Sequence, residues 1–137
     1  IEAIHEHLTN RQALAKFEEM VLAQGGDIED LHRPVKVDQV IEVTADQDGF
    51  IAALPAMEFG LFAMRLGAGR AVKSDPLDYE TGIVFEKKVG DKVEIGEVFA
   101  KIYSNEKISQ ELVTEFQKNV RIGSESVAVS EIVEVIA

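Results

Sequence analysis

TGIVFEKKVGDKVEIGEVFAKIYSN, residues 81–105, decides the fold. Ile83, Phe85 and Val89 sit on a first arm; Val98, Ala100 and Ile102 sit on a second. Apolar residues at every second position turn one face of each strand into a core. Between the arms lies Val89-Gly90-Asp91-Lys92-Val93-Glu94-Ile95-Gly96-Glu97, where two glycines let the chain reverse twice in a short space. The stretch predicts strand, tight turn, strand: a β-hairpin in a small barrel or sandwich.

The rest of the chain is read around that hairpin. Ile1, Ile4 and Leu8 fall at helical spacing, and Thr9 with Gln12 has the form of a capping box. A second helix is expected from Gln12 to about Gln24, with Leu14, Phe17 and Val21 on one face and Gly25-Gly26 ending it. Asp27 to Val35 reads as loop, because Pro34 bars helix. Val40–Ala45 and Phe50–Leu54 read as strands, and Asp46-Gln47-Asp48-Gly49 between them as a hairpin turn. Pro55 suits a helix start. Ala56–Leu66 is apolar almost all round, which predicts a buried helix, and Gly67 ends it. Ala68–Tyr79, with Pro76, is a loop. Asn105 is placed to cap a helix from Glu106 to Asn119, with Ile108, Leu112 and Phe116 on its stripe. Ser126–Val129 and Ile132–Ile136 are expected as closing strands. Gly49-Phe50-Ile51-Ala52-Ala53 and Gly82-Ile83-Val84-Phe85 echo one another, each opening a strand with glycine. That echo suits a pseudo-symmetric β-sandwich.

Composition sets outer bounds. The 137 residues make one domain, or one domain with an appendage, and 46% of them are hydrophobic. With no Cys, neither disulfides nor thiolate metal sites are available. A net charge of −11, from 25 acids against 14 bases, argues against nucleic-acid and anionic-membrane surfaces. No apolar run reaches the roughly 20 residues of a membrane span, and no signal peptide is recognisable, so a cytoplasmic protein is expected. The chain begins at Ile1 inside a helical pattern, without Met, and is expected to be a piece of a longer protein.

Four groups of residues are of types that could carry chemistry. Gly67-Ala68-Gly69-Arg70 has glycines to expose N–H groups and an arginine to grip an anion. It follows a helix rather than a strand, so a helix cap and turn is the favoured interpretation. Asp75, Asp78 and Glu80 offer three hard oxygens, but their spacing matches no calcium loop, and a solvated or capping loop is preferred. His5, His7 and His32 are expected at the surface, and none of Ser74, Ser104, Ser124, Ser126 or Ser130 has a nearby His to activate it. No catalytic, cofactor-binding or metal-ligating residue is assigned in this chain.

Two resemblances follow. The Val89–Gly96 turn is similar to turns of biotinyl and lipoyl carrier domains, but the opposite turn, Asp46–Gly49, holds no Lys to modify. The wider resemblance is to pyrimidine-nucleoside and thymidine phosphorylases. It runs through Arg11–Met20 with Ala23–Asp27, through Gly60-Leu61 to Leu66-Gly67-Ala68-Gly69-Arg70, and through Asp75, Asp78 and Gly82-Ile83-Val84. It continues in Lys88–Glu94 and Ile102-Tyr103-Ser104-Asn105. AMP phosphorylases share much of it. The resemblance implies an α+β fold: residues 1–35 as a helical connection belonging to a larger α/β domain, then 36–137 as a C-terminal α/β-hammerhead domain, barrel-sandwich-like with helices. It implies a homodimeric parent that cleaves uridine, thymidine or deoxyuridine with inorganic phosphate. The family's phosphate, base and potassium sites lie upstream of the matched region. This segment would be structural, inactive alone, and partnered by the upstream domains. The alternatives are a stand-alone biotinyl/lipoyl-like module and the equivalent AMP phosphorylase domain.

Overall fold

The computed structural model describes residues 2–70 and 72–128. The chain divides into two compact units, Ile1–Val35 and Lys36–Ala137.

The first unit carries helices α1 (Glu2–Thr9) and α2 (Gln12–Ala23), then a 3₁₀ turn at Ile28–His32. None of the residues in these elements is buried. The expected capping box does not form. Thr9 Oγ1 instead donates back to the carbonyls of His5 and Glu6, at 2.9 and 3.0 Å. Asn10 Oδ1 accepts from the Gln12 N–H, and Arg11 sits left-handed at φ 65°. A hydroxyl at the end of one helix finds the carbonyl one turn back before it can serve the next helix. Gly25 ends α2 at φ 79°, as its position predicts. The stretch expected as plain loop holds the 3₁₀ turn because the Asp27 carboxylate accepts from the Glu29 N–H at 3.0 Å and caps it.

The second unit is α+β. Among the described residues its strands are β1 (Gln39–Thr44), β2 (Gly49–Ala53), β3 (Gly82–Phe85), β4 (Lys92–Val93), β5 (Val98–Ser104) and β6 (Arg121–Gly123). They make two three-stranded antiparallel sheets, ordered β1-β5-β3 and β4-β2-β6. Helix α3 (Ala56–Ala63) follows β2 and runs into a π-helical turn at Met64–Ala68; α4 (Gln110–Asn119) follows β5.

The arms of the central stretch do pair, from Gly82 opposite Tyr103 to Phe85 opposite Ala100. Their connection is not a tight turn. After Phe85 the chain crosses to the second sheet, where Lys92 and Val93 pair with Phe50 and Gly49, and then returns. Val89 therefore lies off the first arm. The Asp46–Gly49 hairpin is likewise overturned, since β1 and β2 stand in different sheets. Side chains hold that crossover: Asp48 Oδ1 accepts from the Ile95 N–H at 2.7 Å, and Gln47 Nε2 donates to the Ile122 carbonyl at 3.0 Å. The two strands that open with glycine are central in one sheet (β2) and marginal in the other (β3).

One hydrophobic cluster joins both sheets and both helices of this unit. Val43, Ile51, Val93, Phe99, Ala100 and Ile102 come from the sheets, Phe59 and Phe62 from α3, and Val113 and Phe116 from α4. Helix α3 is thus not buried all round, as its composition suggests. Phe59, Phe62 and Leu66 face the core, while Met57 and Leu61 are 72% and 50% exposed. Helix α4 begins four residues later than expected. Ser109, not Asn105, is its cap, accepting from the Leu112 N–H. Strand β6 was not foreseen in the sequence. The stretch Ser126–Ala128 is not strand, and the rest of the closing-strand expectation, Val129 and Ile132–Ile136, lies outside the described residues.

Candidate functional site

The densest polar arrangement in the second unit centres on Asp78. Its Oδ2 accepts from the Thr81 hydroxyl at 2.7 Å and from Asn105 Nδ2 at 2.8 Å. Its Oδ1 accepts from the N–H groups of Glu80 and Thr81, at 3.0 and 3.3 Å. The Asp78 N–H in turn donates to the Gly67 carbonyl at 3.0 Å, closing the end of the π-helical turn. Asn105 Oδ1 accepts from the Asp38 N–H, and Glu80 Oε2 accepts from the Lys36 N–H at 2.5 Å. Asp78, with Glu80 and Asn105, therefore ties together the start of this unit, the end of the α3 segment, the first residues before β3 and the end of β5.

The Thr81 hydroxyl, then the Asn105 amide and the Glu80 N–H, hold the Asp78 carboxyl below the ordinary aspartate range, against a smaller opposing effect of burial. A carboxyl so depressed adds stability above its unfolded pKa, and that stability is lost as pH falls through the folded value. The Asp78→Asn variant removes this titration. Urea midpoints of wild type and Asp78→Asn should differ by a constant amount near neutral pH. They should converge as the solution is acidified below about pH 4, the unfolded aspartate value. A gap that persists unchanged to pH 2.5 or so would rule the linkage out.

The other sequence candidates are placed plainly. Gly67 takes φ 101°, and Gly69 is tight against Met64, with a built Cβ at 3.1 Å from its side chain. These glycines serve the helix end, as the favoured interpretation has it, and Arg70 is exposed beyond them. Asp75 Oδ2 accepts from the Val72 N–H at 2.9 Å. Asp75, Asp78 and Glu80 thus each accept a backbone N–H. Among the described residues no three His, Asp or Glu stand together to hold a metal ion. His5, His7 and His32 are all exposed, His7 Nδ1 lying 2.6 Å from Gln12 Oε1.

Ion pairs missed in the sequence lie on the same unit. Arg65 holds Glu115 through both guanidinium nitrogens, at 2.5 and 3.1 Å, joining the α3 segment to α4. Glu115 is lowered and Arg65 raised by that hydrogen bond. Lys87 meets Glu97 at 2.6 Å, and Lys101 lies between Glu86 and Glu42, at 3.3 and 3.9 Å. All are surface pairs that fix geometry more than they stabilise. A pair 50 residues apart leaves no local signal.

Hydrogen bonds that fasten chain segments, an ion pair that joins the α3 segment to α4 and one apolar core characterise the second unit. Its sequence matches the model of the pyrimidine nucleoside phosphorylase C-terminal domain over residues 50–123, and the chain belongs to that family. It is 40% identical over 128 residues to the pyrimidine-nucleoside phosphorylase of Bacillus subtilis, across 91% of this chain and 30% of that protein. To those of Geobacillus stearothermophilus and Staphylococcus aureus it is 36% and 35% identical, across 88% and 90% of this chain and 29% of each protein. The chain thus spans about 30% of the length of the curated relatives it matches. No helix of the described residues is long and apolar enough to cross a membrane.

Proposed function

We propose that this chain is the C-terminal part of a longer, cytoplasmic, homodimeric pyrimidine-nucleoside phosphorylase. The whole enzyme cleaves uridine, thymidine or deoxyuridine with inorganic phosphate. A phosphate oxygen bonds to the anomeric carbon, the carbon–nitrogen bond breaks, and the base leaves with the bonding pair and takes up the proton that hydrogen phosphate gives up, becoming free uracil or thymine. The other product is the pentose 1-phosphate. The phosphate, base and potassium sites belong to the preceding polypeptide, and no step is assigned to a residue of this chain.

The role of this segment in that reaction is to shape the large domain. Phosphorolysis needs a closed cleft, because water admitted to the anomeric carbon would hydrolyse the nucleoside instead. A rigid domain built on one core supports such a cleft. The two three-stranded sheets with helices at their side are consistent with an α/β-hammerhead, the finer description we favour. The observation that carries the reading is the family match over residues 50–123. No observation favours a carrier module, since the Asp46–Gly49 turn has no Lys.

The test is release of uracil and thymine from uridine and thymidine, with and without phosphate. It is run on the full-length polypeptide and on the 137-residue chain. Phosphate-dependent release by the full-length protein and none by the chain is expected. Release by the chain itself would overturn the structural role, and none by either would overturn the phosphorylase reading.

A further inference from the structure

The first residues of the second unit are held without a sheet ladder. The Lys36 N–H donates to Glu80 Oε2 at 2.5 Å, and the Asp38 N–H donates to Asn105 Oδ1 at 3.1 Å. Pairing of β1 with β5 starts one residue later, at Gln39 opposite Ser104. Lys36 and Asp38 are exposed, and Val37 is half-buried. Before them, Arg33 closes the 3₁₀ turn of the first unit by donating its N–H to the Asp30 carbonyl. Pro34 and Val35 make no hydrogen bond to the described residues.

Both side chains that accept from this stretch are one bond from Asp78. Its Oδ1 accepts from the Glu80 N–H at 3.0 Å, and its Oδ2 from Asn105 Nδ2 at 2.8 Å. The polarity of the relay is fixed. A carboxylate only accepts and a backbone N–H only donates, so one orientation of the Asn105 amide serves both neighbours. Exposed backbone held by side chains opens at lower cost than a core strand.

We propose that Lys36–Asp38 is a strap that opens and closes as one unit, with Asp78 as the positioning residue on which its closure depends. Closed, the strap leaves Pro34 and Val35 as the unfastened connection between the two units. Two residues span about 7 Å at full extension. Open, the unfastened stretch runs from Pro34 to Asp38 and reaches about 17 Å. The strap thereby sets the reach of the connection while β1 keeps its pairing with β5. This device does not depend on the activity of the longer polypeptide.

Amide hydrogen exchange in the full-length polypeptide tests the strap, with Lys36 and Asp38 resolved by fragmentation mass spectrometry and corrected for intrinsic rates. Fully buried Ile51, whose N–H donates to the Asp91 carbonyl, is the reference. One unit gives Lys36 and Asp38 openings equal within about threefold in the wild type, both easier than that of Ile51. Asn105→Asp sets two carboxylates face to face, and Asp78→Asn offers an amide where Asn105 needs an acceptor. Each alone should speed both amides by about tenfold or more and leave Ile51 within about twofold. Together they restore one donor facing one acceptor, and the Thr81 hydroxyl, which accepts as well as donates, turns to suit. Both amides should then return to within about threefold of wild type. Asp38 speeding alone, with Lys36 unmoved, would overturn the proposal. So would a double variant no slower than the singles, because Asp78 would then not act through Asn105. If a substitution loosens Ile51 too, the wild type decides: openings of Lys36 and Asp38 that differ by more than about threefold sink the strap, and equal openings sustain it.

Discussion

Replacing Phe116 by alanine is expected to cost about 3–5 kcal/mol, a large part of the stability of the Lys36–Ala137 unit. Phe116 is fully buried on α4. Its ring lies 4.8 Å from that of Phe59 and 5.0 Å from that of Phe62, both on α3. It lies 6.0 Å from Phe85 on β3 and 6.3 Å from Phe99 on β5. Four rings from three other elements thus meet one side chain. Truncation removes the transfer free energy of the ring and leaves a void that aromatic walls cannot close by small rotations. Edge and stacked contacts add about 0.5–1.5 kcal/mol per pair beyond area. Urea unfolding followed by circular dichroism is the measurement. With slopes of about 1–3 kcal/mol per molar, the midpoint should fall by roughly 1 M or more. Leu61→Ala, half-exposed on the outer side of α3, should change stability by under about 1 kcal/mol in the same chain. A Phe116→Ala loss as small as that of Leu61→Ala would mean that α4 is not part of the core.

How much of this was legible in the sequence depends on the range of each interaction. The alternation Ile83, Phe85 and Ala100, Ile102 identified two strands and their antiparallel pairing, because period 2 is a local property. The excursion between them was not legible. Val93 looks like part of a turn until Gly49 is found opposite it, and nothing near residue 93 announces a partner 44 positions back. The Asp48-Gly49 pair misled for the same reason: the residues of a two-residue hairpin and of a sheet-to-sheet crossover can be identical. The apolar excess of Ala56–Leu66 suggests complete burial. Composition gives the amount of apolar surface, and only neighbours decide which side is covered. At the site, the sequence offers Asp78 as one of three neighbouring carboxylates. Its bond to Thr81 three residues on has the local form that Asp favours at a turn, and was within reach of sequence reasoning. Its bond to Asn105, 27 residues away, was not, and Asn105 was given a capping role that Ser109 performs.

The glycines that open β2 and β3 are indistinguishable in the sequence, and alanine substitution should separate them sharply. Gly49→Ala is expected to cost about 2–4 kcal/mol, summed from a strained backbone and an overpacked contact. Gly49 takes φ 157°, and a Cβ built there lies 2.5 Å from the Gly123 carbonyl oxygen and 2.7 Å from Ile122 Cγ2. Both atoms belong to β6, which pairs with β2 through Phe50 opposite Gly123 and Ile51 opposite Ile122. A carbonyl oxygen fixed in a ladder cannot rotate aside as the end of a long side chain can. Relief therefore requires β6 to leave β2 or the Asp46–Gly49 crossover to shift, which strains the Asp48 bond to Ile95. Gly82, by contrast, opens β3 at the margin of its sheet, and its Cβ would meet nothing within 4 Å. Gly82→Ala restricts the unfolded chain without a native clash, so it should be neutral or stabilising by up to about 1 kcal/mol. Paired urea titrations of the two variants decide the matter. Unequal effects of opposite sign would place β6 against β2 in solution. Equal losses would mean that Gly49 does not lie under the Gly123 carbonyl, and that the second sheet is not built as β4-β2-β6.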